Sequence, residues 1–408
     1  MNRKNKLLIL LMAILLLTAC SKESNKNSSQ DLNNTENIEV ETDKIKIQIS
    51  NMSIDEKISQ LLIIGIEGYE LSQDEIDLID KYNFSGFIFF DRNIETKEQF
   101  IGLINNIKTE NKKNVHCFLC IDEEGGRVER LDKFFKAIPP MNEIGNKNNA
   151  ELAFKVGTLL GEKLQTFGLN MNFAPVLDIN SNPSNQVIGD RSFGNDPDVV
   201  ARLGNELAKG ISNQNIVAVG KHFPGHGDTE TDSHYDLPVI NKDLNDLEKL
   251  ELKPFIYNIN NGLRAIMVGH LFLPQISSEP SSLSNEIIND LLRKKLKFNG
   301  VVLSDDMTMG AIVDNYDIRD AILKFYLAGG DIALVCHDNS KIPDIIDYIK
   351  LALEKGTISE TEINEKLYRI LTLKNDYEIN NDKIDYSMVD NHIEKINTEI
   401  NNLNLEVE

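Results

Sequence analysis

Between Ile47 and Asn375 the chain alternates short apolar runs with longer stretches in which apolar and polar residues mix at helical spacing. The apolar runs are Leu61–Ile66, Gly86–Phe90, Cys117–Ile121, Met171–Ala174, Ile216–Gly220, Ala265–Val268, Val301–Leu303 and Ile332–Val335. Between them, Glu95–Ile107, Ala150–Phe167, Val199–Asn213, Asp243–Asn260, Asn285–Leu296 and Ile318–Leu327 read as helices. Strand–helix alternation predicts a parallel sheet, and eight strands predict that it closes. The expected fold is therefore α/β, a single (β/α)8 TIM-type barrel over 47–375, with no Pro- or Gly-rich linker dividing it. The Asn- and Glu-rich stretch 376–408 reads as an acidic tail, either a surface helix or a disordered end.

Ahead of the barrel, Arg3, Lys4 and Lys6 precede the apolar run Leu7–Leu17, which is too short to span a bilayer and has the layout of a signal peptide. It ends in Leu17-Thr18-Ala19-Cys20, which resembles the bacterial lipobox. The resemblance implies removal of 1–19, a lipid on Cys20, and attachment to the extracellular face of the bacterial cell membrane. Residues 20–46, rich in Asn, Ser, Lys and Glu, then form a polar tether. Losing the three positive charges of 1–19 takes the formal net charge from −21 to −24. Such an acidic chain lacks the clustered Lys and Arg that nucleic acid would need, so no nucleic-acid partner is expected. With Cys20 assigned to the lipobox, three cysteines remain. Cys117 and Cys120 lie three apart on one expected strand, pointing to opposite faces, and Cys336 sits on another; all three read as small buried hydrophobes, without disulfide or zinc spacing.

Catalytic groups of such a barrel project from the C-terminal ends of its strands. After the third strand comes Asp122-Glu-Glu-Gly-Gly-Arg-Val-Glu-Arg130, and after the fourth Pro175-Val-Leu-Asp178 and Gly189-Asp-Arg-Ser-Phe-Gly194. The fifth runs into Lys221-His-Phe-Pro-Gly-His-Gly-Asp228 and on to Asp232-Ser-His234, and the seventh ends in Ser304-Asp-Asp306. Any one of these has an ordinary explanation, a helix cap or a tight turn. Four strand ends on one rim carrying carboxylates, guanidiniums and imidazoles together point to a site. The Gly-rich phosphate loops of nucleotide enzymes and the His-Glu-x-x-His pattern of zinc enzymes are both missing. The set suits a polyhydroxylated ligand, and a carboxylate can stabilise the positive charge that develops at an anomeric carbon.

The run Lys221-His-Phe-Pro-Gly-His-Gly-Asp-Thr229 with its trailing Asp232-Ser-His234 resembles the signature of the bacterial β-N-acetylglucosaminidases of glycoside hydrolase family 3. The likeness extends to Asp122…Arg130, Asn172…Asp178, Arg191-Ser-Phe-Gly194 and Ser304-Asp-Asp306. It implies a retaining, exo-acting β-N-acetylhexosaminidase with Asp305 as nucleophile and a His234–Asp232 acid/base dyad. It further implies that Asp122, Arg130, Arg191, Lys221 and His222 hold the N-acetylglucosamine, with no metal and no cofactor. The expected partner is an N-acetylglucosamine-containing glycan, with peptidoglycan turnover as the setting and a monomer as the working form. Asp306, whose side chain must point away from that of Asp305 on an extended strand, is expected to brace the following turn.

Other readings share some of these features. A sugar-binding lipoprotein of a transporter would have the same anchor and acidic body, but it needs aromatic platforms, and the chain has no Trp. A β-glucosidase of the same family would lack the Asp-x-His pair. A phosphorylase, using phosphate in place of water, stays open on these residues. The anchor is tested directly: with Cys20 lipidated, the native protein partitions into detergent and Cys20→Ala releases it or stalls its processing. Undiminished membrane attachment of that variant would remove the lipobox assignment.

Overall fold

The computed structural model describes residues 44–111, 115–229 and 237–403. The expected signal peptide, Cys20 and most of the tether, like Asp232 and His234, lie outside the described residues. Residues 44–50 form a helix of their own, so helical structure begins inside the expected tether. Among the described residues no helix is long and apolar enough to cross a membrane.

Eight strands follow in order: β1 (Leu62–Gly65), β2 (Gly86–Phe89), β3 (Phe118–Ile121), β4 (Met171–Asn172), β5 (Val217–Phe223), β6 (Ala265–Val268), β7 (Val301–Asp306) and β8 (Ile332–Val335). Each pairs in parallel with its neighbour, and β1 pairs with β8, so the sheet closes into a barrel. Ile63 lies opposite Gly86 on one side and Leu334 on the other. β1, β2, β3, β6 and β8 are buried along their whole length, as strands are when side chains fill the barrel interior and helices cover its outside. This is the expected (β/α)8 architecture.

Three departures from the apolar pattern have physical causes. β5 extends past Gly220 through Lys221 and His222, because Lys221 keeps the ladder going: its N–H donates to Pro175 O (3.0 Å) and its carbonyl accepts from Leu177 N (2.6 Å). Backbone pairing is indifferent to side-chain polarity, so hydropathy could not show it. β7 likewise runs on to Asp306. The expected helix 243–260 is two helices, Leu244–Lys249 and Leu252–Asn260. Pro254 has no N–H to donate to the carbonyl of Leu250, and it is accommodated in the first turn of the second helix.

Helices without an earlier assignment announce themselves by their caps. Ser72 with Glu75 and Ser359 with Glu362 form reciprocal capping boxes at the starts of Gln73–Lys81 and Glu360–Asp376. The latter is stitched to the N-terminal ends of the strands. Its Lys374 donates to Ser85 O and Gln60 Oε1 (both 2.9 Å), and its Lys366 donates to Tyr326 O (2.8 Å) and Gly330 O (2.9 Å). Burial, which disfavours the ammonium form, pulls Lys374 down to about 7 and Lys366 down to about 8. In the expected tail, Val389–Asn401 is a helix whose Val389, Ile396 and Ile400 are buried. Cys117, Cys120 and Cys336 are buried free thiols.

The same end of the barrel holds a buried charge cluster. Asp331, fully buried just before β8, accepts from Val302 N (2.8 Å), Arg293 Nη2 (2.5 Å) and Arg369 Nε (2.9 Å). Burial alone would raise its pKa, but the two guanidiniums and Lys366 hold the carboxyl below the usual carboxylate range. Stability tied to a depressed carboxyl is present above its unfolded pKa, about 3.9, and is lost as pH falls through the folded value. Asp331→Ala should cost about 3–5 kcal/mol in urea unfolding at pH 7, the cost of stranding buried charge. The gap from the unmodified protein should narrow on acidification; a gap independent of pH would mean that packing, not charge, holds this end together.

Candidate active site

The strand ends converge on a cavity of about 220 Å3 at the C-terminal face of the barrel. Asp122, Arg130, Arg191, Lys221, His222 and Asp305 all line it. They come from the end of β3 and its following loop, a short 3-10 turn Gly189–Arg191 after β4, β5 itself, and β7. Of the expected catalytic and sugar-holding residues, the structure thus brings together these six, and Asp232 and His234 fall outside the described residues.

The alternation of an extended chain sorts the Asp122-Glu123-Glu124 run. Asp122 and Glu124 line the cavity, whereas Glu123 points outward. There Glu123, fully buried, meets Lys163 of the helix Ala150–Thr166 at 2.9 Å, and Lys163 also reaches Glu129 at 2.5 Å. Glu123 Oε2 further accepts from the N–H groups of Arg130 (2.7 Å) and Leu131 (3.1 Å), so this carboxylate folds the loop that delivers Arg130. Gly125 and Gly126, with φ of 93° and 62°, make the tight turn in between. A Cβ on Gly126 would come within 2.8 Å of Pro140.

Inside the cavity Glu124 is the hub. Arg191 grips it with two bonds of 2.8 Å, and Lys221 Nζ lies 2.5 Å from its Oε1 and 2.5 Å from Asp122 Oδ1. Burial opposes ionisation of Glu124, yet Arg191 and Lys221 hold its carboxyl far below the carboxylate range. Burial likewise opposes the charge on Lys221, and Asp122 and Glu124 override it, raising its pKa. The result is a buried set of charges, already paired with one another, that lines the cavity.

A second hub is Asp178, fully buried behind β5. It accepts from His222 Nδ1 at 2.6 Å, from His222 N at 3.2 Å and from His226 N at 2.7 Å. With Nδ1–H committed to this carboxylate, the Nε2 of His222 is the ring atom left for the cavity. His226, buried and next to His222, is pushed down to about 4 and is neutral at pH 7.

Both aspartates at the end of β7 line the cavity, contrary to the expectation that only one would face the mouth, and it is their hydrogen bonds that separate them. Asp306 braces the turn, its carboxylate accepting from Thr308 N (2.9 Å), Thr308 Oγ1 (2.7 Å) and Cys336 N (3.1 Å). Its carbonyl accepts from His270 Nε2 at 2.9 Å, while His270 Nδ1 meets Ser282 Oγ at 2.7 Å. Asp305 is held by one bond among the described residues, from Asp306 N (2.9 Å) to its Oδ1. Burial would raise its pKa, but His222, His270, that N–H and Lys221 bring the carboxyl below the usual aspartate value. An ionised carboxylate with lone pairs to spare, facing a cavity ringed by hydroxyl-binding groups, has the attributes of a nucleophile. Among the described residues no group of three or more His, Cys, Asp and Glu side chains could hold a metal ion.

Asp178, His226 and His270 are given no individual role by sequence reasoning, and Glu124 figures there only among the acid/base candidates that would replace His234. Glu124 could have been found from its two-residue spacing to Asp122, and His270 from its place after β6. Asp178 is marked by its place after the fourth strand, but its pairing with His222 is not, because the two are 44 residues apart and nothing local announces the contact.

Residues 53–373 match the family described as Glycosyl hydrolase family 3 N terminal domain. The chain is 32% identical over 304 residues to a beta-hexosaminidase of Methylobacillus flagellatus, covering 73% of this chain and 86% of that one. A glycoside hydrolase family 3 beta-N-acetylglucosaminidase from Paenibacillus sp. str. FPU-7 superposes with a TM-score of 0.78 at 35% identity, over 85% of this chain and 68% of that one. NagZ from Neisseria gonorrhoeae, solved in complex with N-trifluoroacetyl-D-glucosamine, superposes with a TM-score of 0.68 at 30% identity, over 84% and 97%. The barrel, the charge-lined cavity at its C-terminal mouth and these matches agree: the chain belongs to glycoside hydrolase family 3.

Proposed function

We propose that this chain removes terminal β-linked N-acetylglucosamine from glycans by a retaining double displacement, with Asp305 as the nucleophile. The chain is a glycoside hydrolase of the β-N-acetylhexosaminidase type. The observation that carries the mechanism is Asp305 itself: a depressed, singly bonded carboxylate facing the cavity that Lys221, His222, Arg191 and Asp122 line. The cavity, at about 220 Å3, lies below the ~300–1,000 Å3 of pockets for drug-sized ligands, so it suits one sugar ring at a chain end and exo action. The relatives named as beta-hexosaminidases, and the N-acylglucosamine bound in NagZ, support an N-acetyl sugar over glucose.

In the first step Asp305 attacks the anomeric carbon while His234 protonates the departing oxygen. In the second, water attacks the glycosyl-enzyme with His234 as base, and Asp232 favours the imidazolium form. Lipid attachment at Cys20 would hold a monomeric enzyme on the outer face of the membrane, where peptidoglycan fragments are the nearest substrates.

Asp305→Ala should abolish turnover of every glycoside. His234→Ala should largely spare cleavage of a nitrophenyl glycoside, whose leaving group needs no proton. It should slow cleavage of a natural disaccharide by roughly 10²–10⁴-fold, and azide should partly restore its second step. Equal losses on both substrates, with no azide effect, would remove His234 from the acid/base role.

The charges around Asp305 give a separate test. Asp305 must be ionised to attack, so activity is present above its pKa and fails below it. Lys221→Met removes one of the charges that depress this pKa, so the acid limb of kcat/KM should move to higher pH while kcat/KM falls overall. An acid limb left in place would uncouple Lys221 from the ionisation of Asp305.

A further inference from the structure

Sugar rings present apolar C–H faces, and aromatic side chains are what usually receive them. The chain has no Trp, so any such platform must be built from other rings. The rings lining the cavity among the described residues are Phe90, Phe173, His222, His226 and His337. Phe173 and His226 are 1% exposed and His222 is 7% exposed, so none of these offers a face to a ligand at the mouth. The side chain of His337, just past β8, is 54% exposed.

His337 is also held flat. Its ring stacks on Phe90 with centroids 5.5 Å apart and an interplanar angle of 26°, and the guanidinium of Arg92 lies over the Phe90 ring, 4.6 Å from its centroid. Arg92 is fixed to the barrel by bonds to Ile66 O (2.9 Å) and Cys336 O (2.7 Å). This approach is why β1 ends in glycine: a Cβ on Gly65 would lie 2.0 Å from Cys336 O and 2.9 Å from Arg92 Nη2. His337 Nε2 lies 3.8 Å from Asp306 Oδ2, which restrains the ring from the side. Arg92, Phe90 and His337 thus form one cluster, anchored at the ends of β1 and β8, with the exposed ring of His337 at the cavity rim.

The position of this stack assigns it a ligand. The groups that would hold the sugar being cleaved off come from the ends of β3 and β5 and the loop after β4, and the attack comes from β7. Displacement expels the leaving group on the face of the sugar opposite Asp305, toward the cavity mouth. His337 stands at the mouth and Phe90 beneath it, contributed by β8 and β2, strands that supply nothing to the ring-holding set. We propose that His337, backed by Phe90 and Arg92, is the platform on which the sugar on the leaving-group side of the scissile bond stacks. It therefore selects for glycan over small aglycones. The inference rests on the glycosidase reading above.

The test compares N,N′-diacetylchitobiose, whose leaving group is a sugar, with β-N-acetylglucosaminyl azide, whose leaving group is too small to reach the rim. His337→Ala should raise KM for the disaccharide relative to the azide by about three- to tenfold, the size of one ring-stacking contact. His337→Phe, which keeps a ring at the rim, should restore the unmodified ratio. An unshifted ratio in His337→Ala would overturn the proposal, as would a His337→Phe variant that behaves like the alanine. If the unmodified protein cleaved neither compound, the glycosidase reading would fall and take the proposal with it. Cleavage of both with an unshifted ratio would overturn the platform alone.

Discussion

Buried charge that must stay ionised is the constraint around which this site is arranged. Glu124, Lys221 and Arg191 are drawn out of water at the barrel mouth, and each would neutralise or destabilise the fold if left alone. They stay charged because each sits within 2.8 Å of an opposite partner. That proximity exists only if β3, β5 and the turn after β4 are in their observed register, so the network and the barrel's alignment specify one another. A ligand with many hydroxyl groups meets donors and acceptors whose desolvation has already been met by folding, which is the advantage of a preorganised polar site.

A single run of three acidic residues serves two environments. Asp122 and Glu124 face the cavity and Glu123 faces the helix Ala150–Thr166, where Lys163 neutralises it. The pleat of an extended chain makes this division unavoidable, and the neighbouring helix supplies the matching cation. Asp305 and Asp306, which both line the cavity, are divided by their bonding instead: one carboxylate is consumed by Thr308 and Cys336, and the other has a single backbone donor among the described residues.

The two ends of the barrel use buried charge differently. At the N-terminal end Asp331, Lys366 and Lys374 are bonded to backbone groups, guanidiniums and the Gln60 amide, and their work is holding strand ends to the helix Glu360–Asp376. At the C-terminal end the charges surround open space. Stability on one face and chemistry on the other follow from where the β-to-α loops leave room.

Much of this was legible in the order of residues. Eight apolar runs mark all eight strands, because a parallel strand covered on both faces has to be apolar. Asp122, Lys221, His222 and Asp305 stand out as polar residues within two positions of the end of such a run, whereas Arg130 and Arg191 are marked only by the family resemblance. The extension of β5 through Lys221 and His222 was not legible, because backbone hydrogen bonds carry no side-chain signature. Nor was the pairing of Asp178 with His222, the role of Glu124 as the hub of the cations, or the stack of His337 on Phe90. Each of these joins residues far apart in the chain, and their distances are set by barrel closure. Sequence by itself determined which residue types stand at each strand end; only the closed barrel decided which of them meet, because contact across the mouth depends on register and curvature that no local pattern encodes.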